Sequence, residues 1–213
     1  MQFLAGLLAL STLLVGTSAS PIAATSNPPP KSTYIKSVSY AGSGCPAHSV
    51  VGTFSANFDN INVAFDKYVA SIGPHVPVTE KRKNCQLTFT IVSPPNYQYL
   101  ISETVYKGYV DLDRKVTARQ QSEYWFQGKE GNSVTWYDDW TGELTKDYTT
   151  TPDIITKQIW SPCGKSGPVT SNLIVNTQIR LDNRYNPSGT GLITTDSLTH
   201  KVHHIFKCKW RKC

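Results

Sequence analysis

Apolar residues recur at every second position along much of this chain, and that period constrains its fold more than any other feature. In Ser171–Leu181, alternate residues would form one apolar side, and polar residues would form most of the other. Asn84–Val92 alternates in the same way, with Leu87, Phe89 and Ile91 on one side. A period of two residues is typical of a β-strand with one buried face.

Further segments of this kind are separated by turn-forming residues. The additional strand candidates are Tyr34–Tyr40, Val50–Phe54, Ile61–Phe65, Ser102–Leu112, Ser122–Phe126, Ser133–Tyr137 and Lys201–Trp210. Glycine, proline and asparagine interrupt them, for example at Gly42–Gly44 and Ser93–Asn96. Only Val116–Phe126 is compatible with a helical turn at its start. We therefore predict an all-β fold, either an antiparallel β-sandwich or a jelly roll.

The amino-terminal residues are apolar and then rich in proline and serine. Phe3–Val15 carries no charge, and small residues follow up to Ala19. This pattern is typical of a secretory signal peptide, and it is shorter than the roughly 20 apolar residues of a membrane span. We predict a signal peptide at 1–19, a flexible leader at 20–32 and a single β-sandwich domain at 33–213. No later segment is apolar enough to predict a membrane span.

The chain has a formal net charge of +6, and its basic residues form two clusters. One is Lys81, Arg82 and Lys83, and the other is Lys207, Lys209, Arg211 and Lys212. A secreted protein meets little nucleic acid, so no nucleic-acid partner is predicted. Anionic polysaccharide, a membrane surface or an acidic protein fits the charge better. A solvated basic surface without a partner is the simplest explanation.

The chain has five cysteines, and secretion favours disulfide bonds between them. Cys208 and Cys213 are an odd number of positions apart, so a regular strand would send them to opposite sides, which disfavours a bond between them. Cys208 would share a strand face with Phe206 and Trp210, and we predict that it is a small buried residue without reactivity.

Several ordered segments resemble a widespread family of small secreted fungal proteins that is catalogued as a domain of unknown function. These segments are Gly42–Pro46, Phe65–Pro74, Arg82–Leu87, Tyr106–Asp113, Trp160–Gly164, Asn176–Leu181, Gly191–Ser197 and Trp210–Cys213. The resemblance covers about residues 33–213. It implies a fungal source, secretion and a single β-rich domain, and it supplies no catalytic residues.

The resemblance also implies four recurring cysteines, which are Cys45, Cys85, Cys163 and Cys213. Cys208 departs from the family pattern, which usually has an apolar residue there, and becomes the free thiol. Four cysteines allow three pairings, and the sequence does not select among them. We favour Cys45 with Cys85 and Cys163 with Cys213.

The sequence contains no convincing catalytic or metal-binding constellation, and we predict a non-enzymatic protein without a cofactor or metal. Asp111 and Asp113 would share a strand face, whereas Asp138, Asp139, Glu143 and Asp147 cluster in what resembles a solvated loop. His200 and His204 would share a face of the last strand about 13 Å apart, which is too far for easy binding of one metal ion.

Three groups of residues are predicted to contact a partner. The first is aromatic and comprises Trp136, Tyr137 and Trp140, although a position in the core is the favoured alternative for Trp136 and Trp140. The second is basic and comprises Lys81, Arg82 and Lys83. The third is the predicted turn of Asn186, Pro187, Ser188, Gly189 and Thr190. The corresponding loops are Gly73–Asn84, Tyr137–Asp153 and Asn183–Gly191. Trp125 and Trp160 are predicted to lie in the core.

Three functional hypotheses follow. The first is a monomeric fungal effector that contributes to virulence by binding a host extracellular protein. Its sharpest form is an inhibitor of a secreted papain-like cysteine protease that suppresses host immunity, because Asn186–Gly191 resembles the Asn-Pro-Thr-Thr-Gly loop of immunoglobulin-like inhibitors of those proteases. The second is a cell-wall carbohydrate-binding or glycan-active protein. The third is a structural wall protein held by a disulfide through Cys208. Each places the protein in the apoplast or the fungal cell wall.

Overall fold

The computed structural model describes residues 30–151, 158–195 and 204–213. In these ranges the chain forms one 3-10 turn, Val78–Lys81, and twelve β-strands. The strands are β1 Tyr34–Ala41, β2 Val50–Phe54, β3 Asn60–Phe65, β4 Val69–Ile72, β5 Arg82–Ser93, β6 Tyr97–Leu112, β7 Thr117–Phe126, β8 Val134–Thr141, β9 Leu144–Thr150, β10 Val169–Asp182, β11 Gly191–Thr194 and β12 His204–Lys212.

Five strands form one sheet, which we call the front sheet. Its order is β1-β5-β10-β7-β8, and all pairs are antiparallel. The central strand β10 buries alternate residues, as the period-two pattern predicts: Ser171, Leu173, Val175, Thr177, Ile179 and Leu181. Its other residues face outward, because successive side chains of a strand point to opposite sides.

The remaining strands form the back sheet, in the order β2-β3-β12-β6-β11-β4. The long strand β6 organises this sheet. It pairs with β12 along Tyr97–Tyr106 and with β11 along Tyr109–Leu112. Strand β9 pairs with the Tyr106–Leu112 segment on the edge opposite β11. The two sheets pack face to face, so the predicted all-β antiparallel sandwich is confirmed.

The predicted loop Tyr137–Asp153 mostly forms strands, so this prediction was wrong. Gly142 and Glu143 connect β8, which pairs with β7 in the front sheet, to β9, which pairs with β6 in the back sheet, so the chain changes sheets at this connection. The segment looked like a loop because Thr, Asp and Gly are frequent in turns. Edge strands tolerate such residues because one side of each pairs with nothing.

The helical turn considered at Val116–Phe126 is also absent from the described chain, since Thr117–Phe126 forms β7. Its buried residues alternate strictly from Ala118 to Phe126. Pairing with β10 on one side and β8 on the other satisfies its backbone, so the weak local preference for helix has no influence.

The core between the sheets is rich in aromatic rings. Phe89, Tyr106 and Phe206 are at most 2% exposed, with ring centroids 6.3–6.4 Å apart at the Phe206 contacts. Tyr99 and Trp210 form a second contact, with centroids 5.0 Å apart. Burial of each such side chain contributes about 1.5–3 kcal/mol to stability.

Two disulfides fasten segments to this core. Cys45 is bonded to Cys85, which joins the segment after β1 to β5, and Cys163 is bonded to Cys213, which joins the segment before β10 to the carboxyl terminus. These are the two pairs that the sequence analysis favoured. Gly42 lies against the backbone of Asn84 so closely that any side chain would collide with it.

Residues 1–29 are not described, so the predicted signal peptide and most of the predicted leader lie outside the structure. The described chain begins with a turn in which the Thr33 N–H donates to the Pro30 carbonyl at 3.0 Å. No helix in the described chain has the length and apolar composition needed to cross a membrane.

Candidate ligand-binding face

The outward side of the front sheet is polar, and we call it the front face. Cross-strand pairing arranges its side chains in rows that run across β5, β10, β7 and β8. Two neighbouring rows are considered as a candidate site. One is Arg82, Arg180, Arg119 and Asp139, and the other is Asn84, Gln178, Gln121 and Tyr137.

The arginine row places like charges next to one another. Arg180 lies opposite Arg82 on one side and opposite Arg119 on the other. Arg119 is neutralised by a bidentate ion pair with Asp139, and this hydrogen bonding raises the pKa of Arg119. Arg180 forms no side-chain hydrogen bond or ion pair within the described part of the chain, and it is exposed. Arg180 is therefore a charged side chain at the centre of the row whose guanidinium is available to a ligand.

The amide row ends at an exposed aromatic ring. The side chain of Gln178 accepts a hydrogen bond from Arg82 Nε at 2.9 Å and donates one to Gln121 Oε1 at 3.3 Å. Tyr137 is 56% exposed, and the Arg119 guanidinium lies over its ring at 4.3 Å from the centroid. The row therefore combines hydrogen-bonding amides with a flat apolar surface.

A cleft of about 680 Å³ lies at the end of the sheet beside the arginine row. Besides that row, Lys81 and Asp182–Tyr185 line it. Arg184 forms an ion pair with Asp182, and the hydrogen bonds from Arg184 lower the pKa of Asp182. Tyr185 is 73% exposed. The cleft is thus lined by charged side chains and by the exposed ring of Tyr185.

The two tryptophans named as candidate contact residues point inward, so the core alternative is correct for both and their assignment as contact residues was wrong. Trp140 is 7% exposed, and its ring centroid lies 4.6 Å from that of Tyr148. Trp136 stacks on Tyr106 with centroids 4.8 Å apart and ring planes 6° apart. Trp136 and Trp140 are an even number of positions apart on β8, so their side chains point to the same, inward side. Tyr137 follows Trp136 directly and therefore points outward.

The other two tryptophans were predicted to lie in the core, and they do not. Trp125 occupies an outward position of β7 and is half-buried. Trp160 lies outside the strands, and the Arg211 guanidinium packs over its ring at 3.7 Å from the centroid. Trp125 stands between Tyr124 and Phe126, which are also large and aromatic, so residue type does not show which of the three points outward.

The basic cluster Lys81, Arg82 and Lys83 is divided by the fold. Only Arg82 lies in the arginine row, whereas Lys83 is half-buried and forms an ion pair with Glu80 at 2.8 Å. The predicted loop Gly73–Asn84 therefore contains a 3-10 turn and the start of β5. The second cluster, Lys207–Lys212, lies on β12 in the back sheet, so the two clusters do not form one surface.

The turn Asn183–Gly191 joins β10 to β11 and is braced internally. Asn183 Nδ2 donates to the Pro187 and Gly189 carbonyls, both at 3.2 Å. Asn186 Nδ2 donates to the Arg114 carbonyl at 2.9 Å. A side chain at position 189 would collide with Asn186 and with Val116, so the turn requires glycine there.

Thr190 completes the turn by contacting Asp113. Its backbone N–H and its hydroxyl donate to Asp113 Oδ2 at 2.7 and 2.9 Å, and these hydrogen bonds lower the pKa of Asp113. Asp111 accepts a hydrogen bond from the Thr145 hydroxyl at 2.6 Å. Each carboxylate thus has a structural contact with a threonine.

Gln120 and His204 are buried polar residues that contact each other in the core. Gln120 accepts from the Tyr148 hydroxyl at 2.7 Å and lies 3.3 Å from His204 Nε2. His204 is fully buried at the start of β12, and His200 lies outside the described residues. Among the residues that the structure describes, no three His, Cys, Asp or Glu side chains are grouped as a metal site would require.

Cys208 is the free thiol, and it is buried. Burial raises its pKa, and the nearby charge of Asp59 adds to the effect. A thiol in the core cannot reach a second chain while β12 is in place. This placement argues against the hypothesis of a wall protein linked through Cys208.

The central residues of the front face were not predicted from the sequence, namely Arg119, Gln121, Gln178 and Arg180. Gln178 and Arg180 occupy the polar side of the strand that the period-two pattern identified. Their alignment with residues of β5 and β7 depends on register, which the sequence does not specify. The alternation in each strand could have predicted that these side chains point outward. It could not have predicted that they lie side by side in a row.

The fold and the face together define a disulfide-stapled antiparallel β-sandwich with an open polar face on one sheet. The family model for a domain of unknown function (DUF4360) matches residues 31–213, and this chain belongs to that family. An uncharacterized secreted protein of Arthroderma benhamiae is 34% identical over 187 residues, which are 87% of this chain and 74% of the relative. Its secretion agrees with the compartment that the amino-terminal segment and the disulfides predict.

Two solved structures have a distant likeness to this chain. TmCBM61 in complex with β-1,4-galactotriose is 10% identical with a TM-score of 0.28, covering 84% of this chain and 91% of that chain. The CBM22-1–GH10 modules of Clostridium thermocellum xylanase 10B, complexed with xylohexaose, are 7% identical with a TM-score of 0.21, covering 78% and 26%. Scores this low give no basis for transferring a site.

Proposed function

We propose that this protein is a secreted, non-catalytic glycan-binding protein whose ligand lies on the front face. The observation that carries this proposal is the amide row, in which Asn84, Gln178 and Gln121 lead across three strands to the exposed ring of Tyr137. A sugar has hydroxyl groups that both donate and accept hydrogen bonds, and side-chain amides supply both functions. The apolar face of a sugar ring can pack on the flat ring of Tyr137.

The face is held in place before any ligand arrives. Hydrogen bonds connect Arg82, Gln178 and Gln121, and Arg119 is fixed between Asp139 and Tyr137. Side chains that are already ordered lose less entropy on binding. Their positions on strands rather than on a loop give the face a fixed spacing.

The test is retention of the purified protein on insoluble chitin, cellulose and β-glucan, measured by depletion from solution. Tyr137→Ala should weaken retention on the bound polymer roughly tenfold, because it removes the apolar contact area. Tyr34→Ala is the matched control, since Tyr34 is 51% exposed on the opposite edge strand β1. Equal retention of both variants, or no retention on any polysaccharide, contradicts the proposal.

A second candidate is the binding of an extracellular host protein by the Asn183–Gly191 turn, in its sharpest form the inhibition of a papain-like cysteine protease by a fungal effector. The supporting observation is the internal bracing of the turn through Asn183 and Asn186, which leaves Pro187 and Ser188 exposed. A preorganised exposed turn is suited to contact a protein partner.

This candidate is tested with papain-like activity in plant apoplastic fluid. The wild-type protein should lower that activity, and Ser188→Glu should abolish the effect by placing a charge at the tip of the turn. Tyr137→Ala should inhibit as well as the wild type, because it alters only the front face. If the wild-type protein leaves the activity unchanged, the candidate is rejected.

A further inference from the structure

The arginine row contradicts the usual rule for pairs of residues on a sheet. Like charges directly opposite each other on neighbouring strands destabilise a sheet, and Arg180 is opposite an arginine on both sides. One carboxylate, that of Asp139, lies in the row, and it is occupied by Arg119. Among the residues that the structure describes, the row therefore holds three arginines and one carboxylate, which is an excess of positive charge.

The cleft beside the row has the same imbalance. Its lining includes five cationic side chains, Lys81, Arg82, Arg119, Arg180 and Arg184. The two carboxylates in the lining, those of Asp139 and Asp182, are each paired with an arginine. A cleft with this charge attracts a ligand that brings its own negative charge.

We propose that the arginine row and its cleft bind the carboxylate groups of a polysaccharide that contains uronic acids. This inference rests on the proposed function of the front face and names the ligand class. The guanidinium of Arg180 is free to form a bidentate contact with a carboxylate. Arg82 uses Nε toward Gln178, and its terminal nitrogens form no hydrogen bond to other described residues.

The neighbouring amide row favours an acidic sugar over an acidic peptide. A sugar carboxylate on Arg180 would bring its ring hydroxyls to the side chains of Gln178 and Gln121, one row further along the same strands. The next sugar can contact the ring of Tyr137. An acidic peptide carries carboxylates but not the hydroxyl groups that several adjacent amides would recognise.

The experiment measures binding of an oligogalacturonate trimer and of the same trimer with its carboxyls methyl-esterified, by titration calorimetry. The wild-type protein should bind the acidic trimer about tenfold more tightly or better, because esterification removes the charge-assisted contacts. Arg180→Gln should reduce this preference, because it weakens binding of the acidic trimer more than binding of the ester. Lys107→Gln, the same charge change on the back sheet, should retain it.

A second measurement tests the charge argument without a ligand. Arg180→Gln relieves repulsion in the row, so its melting temperature should equal or exceed that of the wild type. Addition of the acidic trimer should raise the melting temperature of the wild type more than that of the variant. A lower melting temperature of the ligand-free variant would contradict the imbalance on which the inference depends.

The remaining outcomes separate the two proposals. Equal binding of the acidic and the esterified trimer overturns this inference and leaves the proposed glycan face intact. Competition by poly-glutamate as strong as that by the trimer also overturns it, in favour of an acidic protein partner. If neither trimer nor any insoluble polymer binds, both proposals fail together.

Discussion

At the scale of single residues, the side chains of β8 have different roles that depend only on their position along the strand. Tyr137 is 56% exposed and lies over the front face, whereas Trp140, three residues later, is 7% exposed. Three positions reverse the side of a strand. Aromatic residues in this segment are therefore of two kinds, and composition alone does not distinguish them.

We predict that Trp140→Ala lowers the free energy of unfolding by about 3–5 kcal/mol, since it leaves a cavity against Tyr148. Tyr137→Ala should change it by less than about 1 kcal/mol, because the ring is mostly in water. Urea denaturation followed by circular dichroism measures both values. A similar effect of the two substitutions would show that the inward and outward sides of β8 have been assigned incorrectly.

The thiol of Cys208 should be inert in the folded protein. It is 8% exposed, and burial raises its pKa, so both access and thiolate formation are restricted. A thiol reagent at pH 8 should label Lys209→Cys within minutes, because Lys209 is exposed on the same strand, and should leave Cys208 unlabelled. After denaturation with the disulfides intact, one thiol per molecule of the wild type, that of Cys208, should react with the reagent. Rapid labelling of the native wild type would contradict the buried position.

At the scale of elements, the β10–β11 turn depends on one carboxylate. Asp113 follows β6 and accepts both hydrogen bonds from Thr190. It thereby links the end of one strand to the start of another. Asn183 and Asn186 brace the rest of the turn, so its conformation is decided by side chains rather than by the sheet.

The turn should lose this support in acid. The pKa of Asp113 is lower in the folded protein than in the unfolded chain, so its contribution is complete above about pH 4 and is lost as pH falls through the folded value. The protection factor of the Thr190 amide, which corrects hydrogen exchange for its intrinsic dependence on pH, should fall in that window. Asp113→Asn should remove the pH dependence, whereas Asp147→Asn on β9 should preserve it. If the protection factor of the Thr190 amide in the wild type did not depend on pH, the assigned contact with Asp113 would be contradicted.

At the scale of the whole molecule, two disulfides hold the ends of the sandwich. Cys45–Cys85 spans 40 residues and Cys163–Cys213 spans 50. The second fixes the carboxyl terminus beside β6, where the Cys213 N–H donates to the Asn96 carbonyl at 2.9 Å. Both bonds act mainly by restricting the unfolded chain.

Replacement of either bonded pair by alanine should lower the free energy of unfolding by about 4 kcal/mol, because the two loop lengths give almost equal losses of entropy. Urea denaturation under non-reducing conditions measures this loss. Cys208→Ala is the control, and it should lose only about 1 kcal/mol of packing. An unchanged denaturation midpoint after removal of either pair would show that the bond does not staple the fold.

Much of the sandwich was predictable because buried strands carry their own signal. The alternation in β5 and β10 indicated both strands and the side that each buries. Strands β4, β9 and β11 were not identified, since β4 and β11 have four residues each and β9 is mostly exposed. Such segments become strands because a neighbour offers backbone hydrogen bonds, and that neighbour is distant in sequence.

The sequence by itself determined the all-β class, the apolar side of the long strands and, through a family resemblance, the four bonded cysteines. These follow from local periodicity and from residue type. The front face was decided only by the tertiary structure. Register aligns Arg82, Arg180 and Arg119, which are far apart along the chain, into one row, and strand parity separates Tyr137 from its tryptophan neighbours. The pattern of residues within one strand does not specify which strands pair with it or in which register they pair. The site could therefore not be predicted from any single segment.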